Sequence, residues 1–236
     1  MEFTPLYILQ VIPELLRRLG VTLWLAAATM LLSTLFGALL AWAKLGKSRV
    51  LRALANAYTA VLRCTPTLIL LFLCYYGLPK VFAPLGIDLN RMSRFCYSLI
   101  AFTLLNGALM SEVIRSTYES IDRGQFEAAA TVGMTPFQTL RRIILPQGVY
   151  IALPNLGTTM ITLLKEASLA FTIGLVDLMG QAKLIISLRY GARALETYLA
   201  LTLIYWALTF LIARLVSRLE RAFGAGRFER AREAAP

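Results

Sequence analysis

Leu19 to Ala43 is a run of 25 residues without a single charged side chain. As a helix it would extend about 37 Å, more than the ~30 Å hydrocarbon core of a bilayer. A segment of this kind has few choices. In lipid, every backbone N–H and C=O must find its partner inside the segment, which leaves a helix or a closed barrel. Four further runs resemble it: Ala53 to Pro79, interrupted only by Arg63; Phe95 to Ser111; the 22 uncharged residues Ile143 to Leu164; and the 17 from Thr197 to Ala213. These runs are too long for barrel strands, so the expectation is an all-α polytopic membrane protein with five transmembrane helices.

Composition agrees with that reading. Hydrophobic residues make up 58% and charged residues 16% of the 236 positions, whereas soluble domains have about 25% charged residues. A net charge of +11 could suggest nucleic acid, but Lys and Arg fall mainly in loops between apolar runs. That is the pattern of positive-inside topology, and no nucleic-acid partner is expected. One side collects Lys44, Lys47, Arg49, Arg52, Arg115, Arg123, Arg141, Arg142 and six arginines of the tail, 14 in all. The other has Arg17, Arg18, Lys80, Arg91, Arg94, Lys183, Arg189 and Arg193, a total of eight. The excess orients the chain with its N-terminus outside and its C-terminus in the cytoplasm, as an odd number of spans requires.

Other chemistry is thin. Histidine is absent, which removes His-based triads and most zinc sites, so no metal ligands are expected. Cys64, Cys74 and Cys96 form no CxxC pair and read as small buried hydrophobes. Gly46-Lys47-Ser48 has the ending of a phosphate-binding loop, but Ala41 stands where the first glycine belongs and no strand precedes it. Residues 1–18 read as an interfacial helix ahead of a transmembrane domain at 19–220, and 221–236 as a polar cytoplasmic tail. Residues 168–185, broken by Asp177, are too short to cross and read as a re-entrant or short helical pair. The basic pair Arg17-Arg18 follows its apolar stretch, the reverse of a signal peptide.

The loop at 122–146 is written with unusual care. Asp122 can cap a helix, with Gln125 reaching back, and Glu127 lies in the first turns, where an acid is favoured. Ala128, Ala129 and Ala130 are strong helix formers, and Gly133 supplies a left-handed stop. Thr135-Pro136-Phe137-Gln138 opens a second helix with a cap and a proline at its first position, expected to end on Arg141-Arg142. Such a loop can be a tidy connector. Its alanine face, rimmed by Phe126 and Met134, favours a docking surface instead.

Glu127-Ala128-Ala129, three residues, Gly133, nine residues, then Ile143-x-Leu145-Pro146 resembles the EAA loop of permease subunits in binding-protein-dependent ABC importers. GVTLWLAAATMLLSTLFGALLAWAK, RCTPTLILLFLCYYGLP and LLKEASLA are similar to that family's first span, second span and fourth-span exit, within its polar amino-acid group (histidine, glutamine, arginine, opine). ALETYLALTLIYW resembles cystine-type members, so L-cystine is also an implied substrate. The resemblance implies the type I importer permease (MetI-like) fold in a bacterial inner membrane, without catalysis of its own. It implies that Glu127, Ala128, Ala129 and Gly133 couple the chain to a cytosolic ATPase dimer, which holds ATP and magnesium, so this chain needs no cofactor. A second permease subunit, an extracytoplasmic amino-acid-binding protein and an amino-acid substrate complete the implied partners, with membrane lipid around them. Cys64 departs from the glycine usual before Thr-Pro.

For the substrate path, Lys165, Glu166 and Ser168 end the fourth span, with Thr159 and Asn155 upstream. Adjacent residues do not face each other on a helix, so Lys165 and Glu166 are not expected to pair. They either snorkel to water or meet the two charges of a zwitterion, the reading that the resemblance supports. The threonines can simply bond back to their own helix. Glu112 and Arg115 read equally as a helix pair. A secondary transporter would show an internal repeat, and a membrane enzyme a catalytic cluster; the sequence has neither.

Overall fold

The computed structural model describes residues 3–233, with side chains described through Ala222. A short helix, α1 (Pro5–Leu16), precedes the first span, α2 (Leu19–Leu45). Next come α3 (Arg49–Cys64) and α4 (Thr67–Phe72), the latter continuing through a π turn into α5 (Leu78–Phe82). α6 (Arg94–Glu119) leads to α7 (Arg123–Thr131), α8 (Pro136–Thr139) and α9 (Leu145–Glu166). α10 (Leu178–Leu188) and α11 (Ala194–Glu233) close the order, and no strand occurs among the described residues. The last three residues of the tail lie outside them.

Four helices are long and apolar enough to cross: Leu19–Leu45, Thr67–Leu85, Arg94–Glu119 and Ala194–Ala222. Pro136–Ile173 supplies the fifth crossing, itself broken by a π turn, and a 47° bend separates it from Leu178–Leu188, as a broken span or a re-entrant loop would have it. The second span corrects the sequence reading of Ala53 to Pro79. Pro66 disfavours helical geometry at the residue before it, and Thr65 is extended at φ −92°, ψ 123°. The helix therefore stops at Cys64 and a new one starts at Thr67. α3 becomes a separate amphipathic helix with Arg49, Arg52 and Arg63 exposed and Ala55 and Thr59 buried, so Arg63 crosses nothing. Cys64, at its end, is exposed, and only Cys74 is fully buried as expected.

α2 and α6 form the central seam, and its composition inverts that of a soluble core. α2 buries Thr22, Ala26, Thr29, Ser33, Gly37 and Ala41, while Trp24, Leu31, Leu35, Leu39 and Trp42 stay exposed. Lipid gives no hydrophobic drive between helices, so seams select small residues that let backbones approach. A Cβ on Gly37 would lie 2.5 Å from the Met110 Cβ, and one on Gly107 would lie 2.4 Å from the Phe36 ring. A larger side chain at either would push the helices apart. Leu25, Leu71, Phe102 and Leu163 join α2, α4, α6 and α9 in one apolar cluster. Tyr7, Val11 and Leu15 of α1 join Leu178, Ile185 and Ile204 in another, holding α1 against α10 and α11.

Candidate functional site

α7 starts at Asp122, whose Oδ1 accepts from the Gly124 N–H at 2.7 Å. It stops at Gly133 in the left-handed region, φ +76°. There the Gly133 N–H bonds to the Ala130 carbonyl and the Met134 N–H to the Ala129 carbonyl, both at 3.0 Å. This paired closure satisfies carbonyls that the helix end would orphan, and it needs a residue without a Cβ penalty at position 133. Two residues later the expected capping box forms: Gln138 N–H to Thr135 Oγ1 at 3.3 Å, and Thr135 N–H to Gln138 Oε1 at 2.9 Å.

Arg141 and Arg142 do not end the helix that Thr135 opens. α8 widens into a π turn, Leu140–Ile144, and runs directly into α9. Pro146 explains the widening: its ring would clash with the Arg142 carbonyl in regular α geometry, and it has no N–H to give. The Leu145 N–H bonds instead to Leu140, five residues back. The second short helix of the loop is thus the first turn of the broken fifth crossing, and a displacement of one is a displacement of the other.

Helical spacing sorts the loop into two faces. Inward are Ala129, 2% exposed, and Phe126, whose ring meets Tyr118 of α6 edge-on at 5.5 Å between centroids. Phe126, Ala130 and Met134 line an apolar cavity of about 640 Å³ with Trp42 of α2 and Tyr118. Phe126 and Met134 therefore face their own chain and do not rim an external surface. Outward are Glu127, Ala128 and Gly133, together with Val132 (74% exposed) and Phe137 (69%), two apolar residues that the sequence reading did not single out.

On the substrate-path side, Asn155, Thr159, Lys165, Glu166 and Ser168, the residues expected there, are all exposed or half-buried. Thr159 Oγ1 bonds back to the Asn155 carbonyl at 2.8 Å, and Ser168 Oγ to the Lys165 carbonyl at 2.5 Å. Neither Lys165 nor Glu166 enters a salt bridge among the described residues. With Thr158 and Thr162 they make an exposed to half-buried polar stripe along α9 and into the turn that follows it, while Ala152, Gly157, Leu163 and Leu164 are buried. Their own chain leaves this stripe uncovered.

Glu112 behaves differently. Its Oε2 accepts from Arg115 Nη2 at 2.8 Å, the expected helix pair, and its Oε1 from Lys44 Nζ at 2.6 Å. Lys44, counted by sequence as an ordinary loop cation, is buried in the seam and also donates to Ser111 Oγ at 2.7 Å. In sequence Lys44 is marked only by its place in the last turn of α2, two residues before Gly46.

Residues 7–224 match the family described as "binding-protein-dependent transport system inner membrane component". The chain is 40% identical over 218 residues to a probable amino-acid permease protein of Bacillus subtilis (strain 168), covering 92% of this chain and 94% of that one. It is 36% identical over 200 residues to an L-cystine transport system permease protein of the same strain, over 85% of this chain and 83% of that protein. A solved structure described as an amino acid ABC transporter with histidines superposes with a TM-score of 0.81 at 31% identity, covering 94% of this chain and 100% of that one. By sequence and by fold, the chain belongs to the inner membrane components of binding-protein-dependent transport systems.

Proposed function

We propose that this chain is the transmembrane permease subunit of an ATP-driven importer for polar amino acids, coupled through the loop at 122–146 to a cytosolic ATPase. The observation that carries the coupling is the outward face of α7: Glu127, Ala128 and Gly133 exposed beside Val132 and Phe137, on an element capped at both ends. Ala129 acts from the inner face, holding α7 to its own chain. ATP and magnesium belong to the partner, whose closing pushes α7. Because α7 is anchored to α6 and leads directly into α9, the push becomes a rigid-body movement of the path.

The uncovered stripe on α9 lines that path, facing a second permease subunit. A zwitterion meets both signs there, its carboxylate at Lys165 and its ammonium at Glu166 or Ser168. Polar and charged groups are costly against lipid, by ~2.5–3.5 kcal/mol for a charge at mid-membrane, which favours a watered cavity or a subunit interface around them. An extracytoplasmic binding protein delivers the amino acid. L-cystine is a second substrate reading, favoured by the 36%-identical L-cystine permease relative.

The test is uptake into proteoliposomes holding this chain, its companion permease and ATPase, and the binding protein. Labelled amino acid should accumulate only with ATP on the ATPase side. Accumulation by this chain alone, driven by an ion gradient, would overturn the reading in favour of a secondary transporter. In cells, a cysteine at Gln138 in a cysteine-free background should react with an impermeant maleimide only after permeabilisation. One at Asn90 should react in intact cells.

A further inference from the structure

A cavity of about 870 Å³ opens at the ends of three spans, on the face that the charge distribution places outside. Arg18 immediately precedes α2, Lys80 lies in α5 near the end of the second span, and Arg94 is the first residue of α6. All three line the cavity together with Tyr75, Tyr76 and Asn90, and no acidic residue does. None of the three cations forms an ion pair among the described residues. The Arg94 side chain donates from Nη1 to the Gly174 carbonyl at 3.2 Å and is in no ion pair with a carboxylate among the described residues. Asp88, the acid of the neighbouring loop, is engaged by the Asn90 backbone and side-chain amides at 2.9 and 2.8 Å.

Positive charge on the outward face runs against the topology rule that orients the rest of the chain, and like charges crowded around one cavity repel. Such a cluster is stable when something anionic neutralises it. Depth identifies the anion. Residues at the ends of three spans lie where phospholipid headgroups lie, and tyrosine and basic side chains are the usual residues at that level. Arginine forks and lysine ammonium groups suit phosphate oxygens. The apolar wall of the cavity, including Val21, Pro79 and Leu175, suits the glycerol and first acyl carbons beneath.

We infer that this cavity is a binding site for the phosphate of an anionic phospholipid, clamped by Arg18, Lys80 and Arg94. The cavity shares no lining residue with the α9 stripe or with α7, and the inference does not depend on what the chain transports.

The full-length purified chain in nanodiscs, with phosphatidylglycerol or phosphatidylcholine as the test lipid, provides the experiment. Native mass spectrometry should show phosphatidylglycerol retained in preference. Each juxtamembrane cation contributes roughly a fivefold factor in lipid affinity. Arg18→Gln/Lys80→Gln/Arg94→Gln should therefore weaken retention by roughly 100-fold, and Lys80→Gln alone by about fivefold. Lys80 is exposed, with no hydrogen bond that its loss would break, so the single variant reports binding even if the triple one folds poorly. Arg49→Gln/Arg63→Gln, on the exposed side of α3, is the control and should retain lipid like the wild type. Equal retention of phosphatidylcholine, or unchanged phosphatidylglycerol retention by Lys80→Gln, would overturn the site. Displacement of the lipid by millimolar glycerol phosphate would reassign it to a soluble oxyanion.

Discussion

Two lysine–glutamate groupings in this chain have opposite fates. Lys44, 4% exposed, reaches across the seam between α2 and α6 to Glu112 and Ser111, and Glu112 is shared with Arg115. Lys165 and Glu166 are neighbours in sequence, yet they are exposed or half-buried on α9 with no ion pair among the described residues. The first group is satisfied by its own chain and holds two spans in register. The second is left for something the chain does not itself supply. A charge that has consumed its partners internally is structural; one held in place without a partner is available for a ligand or a second subunit.

Lys44 carries the largest expected effect. Removing one member of a buried pair strands the other, at a cost of about 3–5 kcal/mol. Arg115 still serves Glu112, so the low end applies. Lys44→Met should lower the melting temperature and the monodisperse yield in detergent, and transport should fall with them. Lys44→Met/Glu112→Leu should recover most of that stability, because apolar replacement of both partners is close to neutral. If the double variant is no more stable than the single, the pair is not the element that closes the seam.

Gly133→Val is expected next in size. No atom lies within 4 Å of the position a Cβ would occupy, so the penalty is conformational and not a clash. A β-branched residue held at φ +76° costs about 1–3 kcal/mol. The strain sits at the loop and should shift the outward face of α7. ATPase stimulation and uptake should then drop severalfold or more while the seam melts nearly as before. A variant that assembles and transports normally would remove the coupling role from this turn.

Thr135→Ala loses half of the capping box and should cost ~1 kcal/mol, with a milder loss of coupling of the same kind. Smallest in stability are Glu166→Gln and Lys165→Met, expected within ~0.5 kcal/mol of wild type because neither group is paired. Their effect belongs to function: substrate-stimulated ATPase activity should fall several times more than basal activity. Equal loss of both activities would place Lys165 and Glu166 with Lys44, as structural charges.

Much of this was legible in the sequence because it is local. Leu19 to Ala43 could only be a crossing helix. The Asp122 cap, the Thr135–Gln138 box and the left-handed Gly133 each follow from interactions spanning two to five residues. Pro66 and Pro146 act just as locally, but with opposite results. Hydropathy ran straight through Thr65, where backbone sterics broke the helix, and the run of 27 residues became two helices of which only the second crosses. At Pro146 the chain did the reverse, widening into a π turn and keeping the helix continuous, because α9 had neighbours in α6 and α11 to hold its direction.

The sequence by itself determined the apolar crossings and the caps of the loop at 122–146, since each depends on a few neighbouring residues and on the solvent they meet. Which face each helix turns inward was decided only by tertiary structure. Phe126, Ala129 and Met134 turned toward α2 and α6, leaving Val132 and Phe137 outside, because Tyr118 and Trp42 shape an apolar space there from residues far away in sequence. Lys44 became structural for the same reason. A lysine in the last turn of a helix reads as a loop cation until another helix, 68 positions further along, brings a carboxylate within 2.6 Å.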